Sequence, residues 1–383
     1  MMMRCNKNVL SVVLLGALSL SAGNAFGQVS QADVDAVIRP LMSKYKIPGM
    51  AAALSVDGQH TFYNYGVASK ATGQAVTPTT LFEIGSLSKT FTATLASYAQ
   101  GQGKLQWSDQ ASHYLPSLKG SAFDRVTLLN LATNTSGMPL FVPDEVTNQE
   151  QLMAWYQAWQ PTAPIGSQRV YSNLGIGMLG LITAQSLQKP FSEAMEQDLL
   201  APLGMKHSWV KVPENQMAEY AQGYNKLDEP VRVTPGPPDA EAYGLKSSSA
   251  DLLRWLDLNM AITPPSPAWQ QAITETHKGY YQTGEFTQAL IWEYYPWPTT
   301  KETLLAGNSS ERIMKGLGAK PLTPPQAGPE QAWYNKTGST NGFSTYAVFI
   351  PGQKTALILL ANKWYPNDAR IEAAYELVQR LKK

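Results

Sequence analysis

The stretch Gly49-Met50-Ala51-Ala52-Ala53-Leu54-Ser55-Val56-Asp57-Gly58-Gln59-His60-Thr61-Phe62-Tyr63-Asn64-Tyr65-Gly66-Val67 sets the architecture. Residues 49–56 are mostly small or branched. Asp57-Gly58 is a strong two-residue hairpin signal. Residues 59–67 then alternate aromatic and polar side chains, as a half-buried strand does. A helix over 31–44 precedes this hairpin. From about 91 to 222 the pattern turns mainly helical, broken by Gly and Pro, with 153–156 and 176–187 as examples. Strand character returns at 333–337, 345–350 and 355–361, and Pro351-Gly352 supplies the turn between the last two. Ile371, Ala374, Val378 and Leu381 follow at helical spacing, which predicts a terminal amphipathic helix on the sheet. Strands at both ends around a helical middle predict an α/β (α+β) fold: an antiparallel sheet flanked by helices, with an inserted, mainly helical lobe. The expected division is 28–100 with 226–383 for the first lobe and 101–225 for the second, with the active site between them. Pro-rich segments at 235–238, 264–267 and 324–329 read as loops too short to be linkers. No internal repeat is evident.

The chain has 383 residues, and 44% are hydrophobic, enough for a sizeable core. Lys and Arg total 30 against 29 for Asp and Glu. This balance argues against nucleic acid as a partner, since such proteins carry a basic surface, and against a polybasic membrane anchor. Arg4 and Lys7, an apolar run from Val9 to Leu20, and Ala25-Phe26-Gly27 read as a cleavable export signal over 1–27. The expected location is therefore the periplasm, with no membrane attachment after cleavage. Cys5, the single cysteine, lies inside that signal. The remainder is expected to have no disulfide, no thiol nucleophile and no cysteine metal site. The four His (His60, His113, His207, His277) are scattered and form no two-His ligand motif, so no metal site is expected.

Three short motifs carry the chemistry. In Ser86-Leu87-Ser88-Lys89, positions i and i+3 share a helix face, so an amine can approach the hydroxyl that needs a base. The same spacing occurs at Ser43/Lys46, Ser186/Lys189 and Ser208/Lys211. Ser86 differs in standing after Gly85 and before a strong helical pattern. That places it at a helix N-terminus, where developing negative charge is favoured. Tyr171-Ser172-Asn173 offers a phenol whose pKa falls near cations and an amide that both donates and accepts, although Tyr365-Pro366-Asn367 has the same form. Lys336-Thr337-Gly338 is the only Lys-Thr-Gly in the chain. Its cation could hold a substrate carboxylate and bias Tyr171 towards ionisation, and Gly338 would admit a ligand close to the backbone. No Gly-x-Ser-x-Gly elbow surrounds a candidate Ser.

In this order and far apart, these motifs define the penicillin-recognising serine enzymes. Phe82-Glu83-Ile84-Gly85-Ser86-Leu87-Ser88-Lys89 resembles the active-site signature of class C β-lactamases. Similarity extends to Ile47-Pro48-Gly49, Ala240-Glu241-Ala242-Tyr243-Gly244 and Leu360-Ala361-Asn362-Lys363. Tyr171 points away from class A, which has Ser-Asp-Asn there. The resemblance implies a β-lactamase/transpeptidase-like fold and a cofactor-free, monomeric enzyme acting on small β-lactams. It implies Ser86 as nucleophile, with Lys89 and Tyr171 as a coupled proton-transfer pair and Asn173 and Lys336 beside them. The backbone N–H groups of Ser86 and Ser339 would form the oxyanion hole. Lys336, Thr337, Asn367 and Arg370 would face the substrate carboxylate, and Phe141 and Tyr243 the substrate side chain. Which of Lys89 and Tyr171 is the base stays open, since coupled groups titrate as a set. Four positions depart from the family pattern: Phe141 stands where Gln is usual, Asn134 where Tyr is common, and Ile291 and Ser344 where Gly is usual. A D-alanyl-D-alanine peptidase or esterase on the same scaffold is the alternative enzyme. A penicillin sensor domain or an inactive cell-wall binding protein is the non-catalytic one.

Overall fold

The computed structural model describes residues 29–381; the expected export signal lies outside the described residues. A nine-stranded antiparallel sheet forms the frame. Its strands, numbered in chain order, are β1 Gly49–Val56, β2 Gln59–Gly66, β3 Gly279–Thr283, β4 Phe286–Gln288, β5 Glu293–Pro296, β6 Lys320–Gln326, β7 Ala332–Ser339, β8 Ser344–Ile350 and β9 Thr355–Ala361. Their order across the sheet is β6-β3-β4-β5-β7-β8-β9-β1-β2. The N-terminal hairpin thus completes a sheet begun by the C-terminal strands, with Met50 opposite Ala361 and Val56 opposite Thr355. Asp57 and Gly58 take φ of 50° and 78°, the left-handed pair that a two-residue hairpin requires.

Alternation along β1 feeds two cores. Met50, Ala52 and Leu54 pack with helices α1 (Gln31–Tyr45) and α5 (Asn367–Arg380). Ala51 and Ala53 face the opposite cluster, which includes Phe91, Trp255 and Leu252. Those come from α2 (Ser88–Gly101) and α4 (Ser249–Asn259). Both sheet faces are therefore covered, which is why β8 and β9 are buried throughout. An ion pair of 2.9 Å between Arg380 and Asp33 joins the ends of α5 and α1.

A third cluster holds the helical middle. Ala93, Ala96 and Ala99 on α2 meet Leu174, Met178 and Ile182 of α3 (Asn173–Ser186). Helix α2 is thus a shared wall: Phe91 and Leu95 look to the sheet, its alanines to the helices.

One expectation is corrected here. Pro324 and Pro325, read as a loop, lie in β6. This strand pairs on one side only, with β3. Proline lacks the N–H that a central strand needs, so the sheet edge is where it fits.

Candidate active site

The short strand Phe82–Glu83 pairs with Lys246–Ser247 and delivers the chain to the nucleophile turn. Residues Gly85–Leu87 form a single 3₁₀ turn, and α2 begins at Ser88. Ser86 therefore sits just ahead of the α-helix rather than in its first turn. Gly85 has φ of 53°, and a Cβ there would lie 2.4 Å from the Ser339 nitrogen. A Cβ on Gly338 would lie 2.1 Å from the Ile84 oxygen. Two glycines thus let the Ser86 turn rest directly on β7 at Ser339.

Lys89, one turn on, is fully buried. Its Nζ donates to Ser86 Oγ and to the Ala242 carbonyl, both at 2.8 Å. Burial pulls the amine down to about 8; Lys336 adds to the fall, while Tyr171 opposes both. Tyr171 is 8% exposed. Burial alone would raise its phenol, but the nearby charges of Lys336 and Lys89 outweigh that and bring it down to about 7. Lys89 Nζ lies 5.1 Å, Lys336 Nζ 4.9 Å and Arg169 Cζ 5.3 Å from the Tyr171 ring centroid. Two lysine cations thus stand beside the phenol, the arrangement that stabilises a phenolate, while the charge of Arg169 is met by Glu293.

Tyr171 and Asn173 flank Ser172, whose Oγ caps α3 by accepting from Gly175 N at 3.0 Å. Asn173 is buried, with no partner for its Oδ1. Lys336 and Thr337 belong to β7, with Ser339 at its end. Together with Phe141, Tyr243 and Asn367 these residues line one cleft of about 520 Å³, opened at Ser86. Lys89 lies beneath it, in contact with Ser86.

Arg370 does not join them. It is fully buried behind β7, where its guanidinium donates to the carbonyls of Tyr365, Gly338 and Thr345. Burial lowers its pKa to about 10. Placing it against a substrate carboxylate is therefore corrected: it braces β7 at Gly338, β8 at Thr345 and the loop at Tyr365 that leads into α5.

The other Ser-x-x-Lys pairs are inert by geometry. Ser186 Oγ donates to the Thr183 carbonyl, and Lys189 pairs with Asp198 at 2.6 Å. Ser208 is bonded to Asp251 at 2.7 Å, and Lys211 is exposed. Ser43 and Lys46 are both exposed. Among the described residues, no group of three or more His, Cys, Asp or Glu could hold a metal ion, and no helix is long and apolar enough to cross a membrane.

The departures acquire physical reasons. Ile291 has φ of 65°, where a branched side chain is strained and Gly is not; in compensation its side chain is buried. Asn134, with φ of 57°, accepts from Ser172 N through Oδ1 at 3.2 Å and so supports the Tyr171 segment. Ser344 Oγ accepts from Tyr365 N at 3.0 Å, a tie that Gly could not make. Phe141 is 63% exposed at the cleft mouth.

Three residues were not picked out from the motifs. Glu83, buried, accepts from Tyr220 Oη at 2.6 Å, Val233 N at 2.8 Å and Thr340 Oγ1 at 2.6 Å. It stands three residues before Ser86 and bonds one residue beyond Ser339, so it ties the two backbone segments at the nucleophile. A carboxylate amid the apolar neighbours Phe82 and Ile84 was the available signal. Arg169 and Glu293 pair with each other and line the cleft beside Tyr171.

Known proteins resemble this chain along most of its length. The beta-lactamase family model matches residues 34–382. A beta-lactamase of Providencia stuartii is 50% identical over 367 residues, covering 96% of this chain and 95% of that one. The crystal structure of a class C beta-lactamase in complex with cefoxitin superposes with a TM-score of 0.89 at 50% identity, covering 91% of this chain and 98% of that chain. That of a beta-lactamase/D-alanine carboxypeptidase from Pseudomonas syringae also gives 0.89, at 46% identity and the same two coverages.

Proposed function

The chain belongs to the beta-lactamase family, and from that premise we propose that it is a class C enzyme hydrolysing the β-lactam ring of cephalosporins and penicillins through an acyl group on Ser86, thereby conferring resistance. The observation that carries this reading is the buried Lys89 amine 2.8 Å from Ser86 Oγ, with Tyr171 held among cations above it.

Ser86 Oγ attacks the lactam carbonyl and its proton passes to the Lys89–Tyr171 pair, whose apparent pKa values of about 8 and 7 lie near neutrality. The N–H groups of Ser86 and Ser339 receive the oxyanion; each such donor is worth about 10²–10³ in rate. The C–N bond then breaks, and the lactam nitrogen takes its proton from Tyr171. A water loses its proton to the same pair and attacks the acyl carbonyl; the C–O bond to Ser86 then breaks, and the pair returns that proton to Ser86 Oγ. Lys336, Thr337 and Asn367 hold the substrate carboxylate. Asn173 positions Lys89 and the side-chain amide, while Phe141 and Tyr243 border the side chain. We retain the two-lobe division, the cofactor-free monomer and export to the periplasm as parts of this reading; the separate apolar clusters on the two sides of α2 support the first.

The test is steady-state hydrolysis of nitrocefin and cephalothin beside a D-alanyl-D-alanine peptide. Turnover of the β-lactams well above that of the peptide is expected. A long-lived acyl-enzyme with preferred cleavage of the peptide would replace this reading with a peptidase.

A further inference from the structure

A second groove opens from the catalytic cleft. It measures about 430 Å³ and is walled by Asn225, Lys226, Leu227, Val231, Asn341 and Trp364. Val231, Asn341 and Trp364 also line the cleft, so the two are continuous.

We propose that this groove is a subsite for the acidic far end of a long acyl side chain on the β-lactam; the proposal rests on the reading of the cleft given above. The direction follows from substrate chemistry. In a bicyclic β-lactam the carbonyl stands between the ring nitrogen, whose neighbour carries the carboxylate, and the carbon bearing the acylamino group. With the carboxylate at Lys336 and Thr337 and the carbonyl between Ser86 and Ser339, the acyl group leaves in the opposite direction. Along the chain that is past Ser339, towards Thr340 and Asn341, where the groove begins.

The preference for an acid follows from the local charges. Of the lysines around this loop, Lys70 and Lys363 are both taken by Asp228, at 2.5 and 2.8 Å. Their hydrogen bonds hold that carboxyl down to about 2. Glu229, the other carboxylate on the loop, accepts from Asn225 Nδ2 at 2.9 Å. Lys226 makes no ion pair among the described residues; its Nζ sits 4.0 Å from the Trp364 ring centroid. A cation held on an aromatic face keeps its N–H groups available for an anion. Leu227, Val231 and the Trp364 ring give the methylenes of a long acyl chain apolar walls on the way.

The test uses 7-aminocephalosporanic acid acylated with straight-chain dicarboxylic acids of increasing length, each beside its terminal amide. An ion pair at an exposed rim is worth up to about 1 kcal/mol. At the matching length the acid should therefore show a KM about two- to fivefold below that of its amide. The advantage should vanish in Lys226→Met, invert in Lys226→Glu and shrink with added salt, while cephalothin turnover stays unchanged in every variant. Acid and amide alike at all lengths, or an advantage that survives Lys226→Met, would overturn the subsite. Failure of the parent to hydrolyse cephalothin would instead remove the reading on which it rests.

Discussion

Ser86–Lys89 and Ser186–Lys189 have the same spacing and opposite surroundings. Ser86 precedes a helix, where unpaired N–H groups favour developing negative charge; Ser186 ends one, where carbonyls oppose it. Lys89 is buried without a carboxylate partner, and its pKa falls to about 8. Lys189 is bonded to Asp198, which raises its pKa. Spacing brings an amine near a hydroxyl. Burial and the choice of neighbours decide whether that amine can exchange a proton near neutral pH.

The strongest way to break the contrast is to remove each hydroxyl. Ser86→Ala should lower kcat by about 10⁴-fold or more, whereas Ser186→Ala should leave nitrocefin hydrolysis within about twofold. Comparable losses in the two variants would end the distinction.

A sharper probe is the pH profile. Tyr171 is low because Lys336 and Lys89 outweigh its burial. The acidic limb of kcat/KM should rise as the Lys89–Tyr171 pair loses a proton near pH 7. Lys336→Ala removes a cation that depresses both partners. The limb should then move to higher pH by about one unit or more, and an unmoved limb would mean that Lys336 acts only on the substrate.

Burial around Ser86 also depends on braces that the Ser186 site lacks. Arg370→Ala strips charged hydrogen bonds from three carbonyls and should cost about 3 kcal/mol in urea unfolding. Asn367→Ala, at the cleft, should change KM with little loss of stability. Glu83→Gln weakens three bonds to one carboxylate and should cost about 1.5–3 kcal/mol, with a fall in kcat from a loosened Ser86–Ser339 spacing. The smallest effect is expected for Lys189→Ala, under about 1 kcal/mol, because its ion pair is solvated.

Much of this was legible in the sequence. Asp57-Gly58 required its turn, small and branched runs located β1, β8 and β9, alternation located β2, and helical spacing located α5. The ordered motifs named the residues that the fold gathers around one cleft. Strands β3 to β5 escaped because they are short and held by their neighbours rather than by their own pattern, as in Gly279-Tyr280-Tyr281-Gln282-Thr283. Pro324 and Pro325 misled because the edge of a sheet accepts what its centre rejects. Arg370 misled because a family resemblance says that a residue is near a site, not which way its side chain turns in this chain. Glu83 escaped for the converse reason: its three partners come from segments more than a hundred residues away in the chain.

The most direct test of the central claim is intact mass spectrometry of the protein after brief exposure to a slowly hydrolysed β-lactam, followed by peptide mapping. The account predicts a transient gain equal to the whole β-lactam, located on the peptide containing Ser86 and absent in Ser86→Ala. Hydrolysis that proceeds with no adduct, or with an adduct on another residue, would contradict it.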